Sequence, residues 1–109
     1  MHPIRVQLHA PAGTPAGVVP PSPESLRDGL ERGLGGPVRI EHARILTGPV
    51  AVDAVVFVLA GSLLAAESAV AAACTALTGP EGPLPGWLVS HCAADSWLAL
   101  GLHELPTYR

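Results

Sequence analysis

The sequence has no lysine and no asparagine, so its six basic residues are all arginine. Alanine, glycine and proline are abundant beside them, a pattern read as codon bias and carrying no functional message. Charge is scarce: 14% of residues are Asp, Glu, Lys or Arg, the formal net charge is -3 and the pI is near 5.9. Nucleic-acid binding needs a cationic face that displaces counterions, and six scattered arginines on an acidic chain do not make one. The two cysteines, Cys74 and Cys92, have no CxxC or metal-type spacing. They read as buried thiols packing as small hydrophobes, with no sequence support for a disulfide. The N-terminal MHPIRVQLHAP has no apolar signal-peptide core, which leads to the expectation of a cytoplasmic protein. GxSxG, a P-loop, GxGxxG and HExxH are all missing, so no motif assigns a reaction or a cofactor, and none is expected.

Apolar sequence is what the chain has in excess. At 109 residues it fits one domain with a two-layer core, yet 49% of it is hydrophobic and the mean hydropathy is +0.40. A lone subunit has difficulty covering that much apolar surface, which points to self-association, most simply a two-fold homodimer. The excess is concentrated in residues 50–77, where Asp53 and Glu67 are the only charges. This stretch changes at Gly61-Ser62 from β-branched to alanine-rich, the signature of a strand entering a helix, both expected to be enclosed in protein. Residues 54–77 would satisfy a membrane hydropathy window, but Glu67 lies inside it and no arginine flanks it. No membrane span is therefore expected.

The remaining segments fall around this unit. In HPIRVQLH (residues 2–9), Ile4, Val6 and Leu8 alternate with Arg5, Gln7 and His9, a half-buried strand. Residues 10–23 carry Pro11, Pro15, Pro20, Pro21 and Pro23 and form a long loop, read either as plain surface or as a flap over a pocket. A helix then starts from a Ser22 N-cap with Pro23 at its first position. Leu26, Leu30 and Leu34 form its apolar stripe, and Gly35-Gly36 ends it. Residues 38–46 alternate again, with Val38, Ile40 and His42 expected on one face and Arg39, Glu41 and Ala43 on the other. Thr47-Gly48-Pro49 turns the chain into residues 50–60. That second strand is apolar on both faces, as expected with strands beside it and cover above and below. Ser62 caps a second helix reaching about Thr78, a loop spans 79–86, and residues 87–93 form a last strand. Residues 94–105 fit either a short helix holding Trp97 or a continuing edge strand.

The order strand, helix, strand, strand, helix, strand predicts an α+β sandwich of the ferredoxin-like, split β-α-β type. It would be a single domain over 1–109, with 94–109 irregular. Two helices would cover one face of a four-stranded antiparallel sheet and leave the other open. On the open face Arg5, Gln7, His9, Arg39 and Glu41 are expected, joined by Asp53, Val55 and Phe57. The last strand would add either Ser90 and Cys92 or Trp87, Val89 and His91. His9 and His91 with Asp53 or Glu41 are the candidate acid/base groups, since histidine titrates near neutrality and a carboxylate can orient it. Arg5, Gln7, Phe57 and Trp87 are the candidate ligand contacts. A metal would need His9, His91 and Asp53 together, but no HxH or HxxxH spacing supports one. His42 reads as a core or rim histidine. His2 and His103 lie near the ends and carry no argued role.

Two functions are expected on these grounds. The first is a small binding or accessory protein that encloses an apolar small molecule or peptide at a dimer interface. The alternative is a cofactor-free cyclase, isomerase or oxygenase of specialised metabolism using histidine and carboxylate as general acid/base.

Overall fold

The computed structural model describes residues 1–95, apart from residues 16 and 18. The expectations for Trp97 and His103 fall on residues outside the described ones. Strand β1 (His2–His9) leads through the proline-rich loop to helix α1 (Pro23–Gly33) and then to strands β2 (Arg39–Thr47) and β3 (Ala51–Leu59). Helix α2 (Leu63–Leu77) and strand β4 (Leu88–Ala94) follow. The four strands form one open antiparallel sheet in the order β2-β3-β1-β4, and the class is α+β.

Local chemistry sets these boundaries. Ser22 Oγ accepts from Ser25 N at 3.1 Å, and Pro23 occupies the first turn, where a missing N–H costs nothing. Ser62 repeats the device for α2, accepting from Ala65 N at 3.0 Å. Between β2 and β3, Gly48 N donates to Ala51 O at 2.9 Å and closes the hairpin turn.

The core lies between the sheet and the helices. Ile4, Val6 and Leu8 of β1 and Val52, Ala54, Val56 and Val58 of β3 are all buried there. Facing them are Leu26 and Leu30 of α1 and Ala66, Val70, Ala73, Cys74 and Leu77 of α2. Burying each Val, Leu or Ile side chain among them stabilises the fold by about 1.5–3 kcal/mol. The loop after α2 adds a core residue that its composition conceals. Leu84 is buried among these side chains, and its N–H donates to Leu77 O at 3.0 Å.

The expectation that β3 and α2 are enclosed on all sides is met only in part. Along β3, Val52, Ala54, Val56 and Val58 are buried, while Asp53, Val55 and Phe57 on the opposite face are half-exposed. On α2, Leu64 is 72% exposed. No helix among the described residues is long and apolar enough to cross a membrane.

Two bulges reset the strand faces. In β2, Ile40 pairs with Val58 but His42 pairs with Phe57, so Glu41 is the extra residue. Beyond it the phase reverses. Ala43 and Ile45 pack against the core, while His42 and Arg44 turn to the open face. The expected grouping of His42 with Val38 and Ile40, and of Ala43 with Arg39, is corrected accordingly. In β4, Val89 pairs with Leu8 and His91 with Gln7, leaving Ser90 as the extra residue, its hydroxyl donating to Gln7 O at 3.1 Å.

Candidate functional site on the open sheet face

Directly opposed residues of antiparallel strands share a face, so the register gives the composition of the uncovered side. One row runs Leu46, Asp53, Gln7, His91 across β2, β3, β1 and β4. The next row runs Arg44, Val55, Arg5, Ala93, and beyond it His42 and Phe57 stand opposite Pro3. On the other side of the first row, Ala51, His9 and Leu88 are aligned. Arg5, Gln7, His9, Asp53, Val55 and Phe57 thus lie on one face, as the alternation predicts, and His91 joins them through its pairing with Gln7.

At the centre Arg5 Nη2 donates to Asp53 Oδ2 at 3.2 Å, with the two side chains 43% and 44% exposed. An ion pair this wet stabilises the fold by less than about 1 kcal/mol. Its chemical effect is to commit the only carboxylate of the row to a cation. Arg44, one strand beyond Val55, forms no ion pair among the described residues. Arg5, Arg44, Leu46, Asp53 and Val55 line an open depression of about 250 Å³. In the row beyond Arg44 and Val55, His42 and Phe57 form a tilted ring pair, with centroids 5.9 Å apart and planes at 40°.

The acid/base candidates are only partly brought together. His9 and His91 are diagonal neighbours on β1 and β4, about 7–8 Å apart by strand geometry. Asp53 shares the row of His91, but Gln7 stands between them, a separation of about 10 Å across two strand spacings. Glu41 sits in the β2 bulge near Phe57 and Leu59, at the far corner of the sheet from His9 and Leu88. Among the described residues neither His9 nor His91 bonds to a carboxylate, and no group of three or more His, Cys, Asp or Glu is placed to hold a metal ion.

The last strand follows neither of the two expected phases. The Ser90 bulge puts Val89 and Cys92 on the helix side and Leu88 and His91 on the open side. Trp87, a candidate ligand contact, precedes β4 and packs against the core cluster, away from Phe57. His2 pairs with Val58 at the start of β1.

Three features of this region escape sequence reasoning. His42 and Arg44 reach the open face only through the Glu41 bulge. Its trace is the spacing of apolar residues, which runs Val38, Ile40 and then Ala43, Ile45, with one residue too many between the pairs. Glu67, notable in the sequence only as a charge in an apolar run, accepts a hydrogen bond from Ala94 N at 2.7 Å and ties α2 to β4. Cys92 and Cys74 meet across the same contact: hydrogen bonding between the two thiols and burial push the Cys74 pKa up, and the same bond holds Cys92 below the usual thiol value. Comparison with known proteins finds no family model, no curated protein and no solved structure that matches this chain.

Proposed function

We propose that the chain is a ferredoxin-like binding protein whose open sheet face meets a second copy and holds an apolar small molecule or peptide between them. The strand order β2-β3-β1-β4, with the order of elements along the chain, supports the ferredoxin-like assignment. The observation that carries the reading is the composition of β3. Its residues suit a strand covered on both faces, yet the helices cover only one, leaving Val55, Phe57 and Leu59 for something else to cover. The depression beside Val55 offers a ligand two arginines, with an aromatic pair and Gln7 at neighbouring positions of the same face. This is the mix of apolar wall and few polar groups that small-molecule sites use. The acidic balance of the chain argues against nucleic acid as the partner, and a cytoplasmic setting fits the same reading.

The enzymatic alternative has less support from the same face. An acid/base pair needs a carboxylate within hydrogen-bond reach of a histidine, and Asp53 is held by Arg5 while Glu41 is remote.

A fragment screen by protein NMR tests the proposal. Bound apolar fragments are expected to shift the amides of Arg5, Val55, Phe57 and His91. Affinity is expected to fall on His9→Ala or His91→Ala and to stay at the parental value for His2→Ala, with all three folded. Shifts confined to the helix side, or three variants binding like the parent, contradict it.

A further inference from the structure

Cys74 and Cys92 are free thiols carried by facing elements. Strands β3 and β4 both run antiparallel to β1, so they are parallel to each other, and α2, which joins them, runs back along β4. The bond from Ala94 N to Glu67 fixes the register of that contact. From Glu67 to Cys74 the helix advances two turns, about 10 Å, toward the start of β4. From Ala94 back to Cys92 the strand covers about 7 Å in the same direction. Cys74 lies on the fully buried stripe of α2 with Val70 and Leu77. Cys92 pairs with Val6 on the helix side of the sheet and is half-buried against the same core. Placement on each element and the register between them therefore put the two cysteines on facing positions of one helix–strand contact, where their thiols interact.

We propose that Cys74 and Cys92 are an oxidisable dithiol that a hydroperoxide converts to an intrachain disulfide, clamping α2 to β4. Cys92 is the attacking sulfur, because it is the more exposed and its thiol is the more acidic of the two. Its thiolate attacks the terminal peroxide oxygen, the O–O bond breaks, and the departing oxygen takes up a proton and leaves as water from hydrogen peroxide or as an alcohol from an alkyl hydroperoxide. Cys92 is then a sulfenic acid. The Cys74 sulfur attacks Cys92 Sγ, the S–O bond breaks, and the departing hydroxide leaves as water with the Cys74 proton. With hydrogen peroxide the sum is two thiols oxidised by two electrons and one peroxide reduced to two waters. The consequence falls on β4, which pairs only with β1 among the described residues and carries His91 beside Cys92. Oxidation fastens this strand to the helix layer.

The test is hydrogen peroxide treatment of the purified, reduced chain, read by thiol titration in denaturant and by intact mass. Both titratable thiols are expected to disappear, and the mass is expected to fall by two hydrogens. Digestion should yield a peptide pair joined through Cys74 and Cys92, and a dithiol reductant should restore both thiols. Addition of oxygen at Cys92 with Cys74 still a thiol overturns the proposal, as does a link between two chains. Cys92→Ser keeps the buried sulfur and removes the attacking one, and it is expected to retain its single thiol through the same treatment. Loss of that thiol at the parental rate overturns the assignment of Cys92 as the attacking sulfur.

Discussion

Gly33 lies so close to α2 that a Cβ there would stand 2.8 Å from Ala73 Cα and 3.0 Å from Ala73 Cβ. Backbone cannot turn aside, so Gly33→Ala forces the two helices apart. The expected loss is about 1–3 kcal/mol, the usual cost of overpacking, less a helix-propensity gain below about 1 kcal/mol. A Cβ at Gly29 would meet Leu77 Cδ2 at 2.7 Å, the tip of a side chain that can change rotamer. Gly29→Ala is therefore expected to cost less than half as much. Urea midpoints rank the two, and equal midpoints would mean that the helix contact is looser than the structure has it. Residue-level features of this kind were the least legible in the sequence. Gly29 and Gly33 suggest a close approach of α1 to the sheet, but the neighbours they meet are Leu77 and Ala73 of α2. Leu84 reads as loop because Pro83, Pro85 and Gly86 surround it, and only the pairing of its N–H with Leu77 shows that the loop folds back over the core. The bulges at Glu41 and Ser90 each move a histidine or arginine between faces by one residue, a shift that composition does not register.

Elements, by contrast, were written plainly, because each boundary rests on a local device that sequence displays. The clearest case is the passage from β3 to α2 at Gly61-Ser62. Ser62 caps α2 through its hydroxyl and holds φ at -156°, far from the value near -65° that proline imposes. Ser62→Pro loses the cap, which costs about 1 kcal/mol, and adds a backbone conflict on top of it. Pro23 stands at the first position of α1, where alanine fits without strain, and Pro23→Ala is expected to cost about 0.4–1 kcal/mol through the freer unfolded chain. Denaturant midpoints should therefore place Ser62→Pro well below Pro23→Ala. Coincident midpoints would show that the junction does not depend on the Ser62 cap. The same local logic explains why β1, α1 and the hairpin turn at Gly48 stand where alternation and turn residues predicted, while the phase beyond each bulge did not.

At the scale of the whole molecule, the arrangement of layers follows from the apolar pattern, and the open question is the uncovered side. The helices bury one face of β3 and leave Val55, Phe57 and Leu59 on a surface that also holds the Arg5–Asp53 pair and His91. That this face faces outward was legible from the alternation of β1. Which groups converge there was only half legible, because His42 and Arg44 arrive through a bulge and Trp87 departs to the core. The proposed pairing of two copies through the open face would double the molecular mass in solution. Sedimentation equilibrium of the parent at micromolar concentration is expected to give twice the 11.1 kDa of the chain. Val55→Glu, which places a charge at the centre of the open face without touching the core, is expected to sediment as a folded single chain. Leu64→Glu, on the exposed side of α2, is expected to remain paired. A parent that sediments at the mass of one chain rules out pairing through this face.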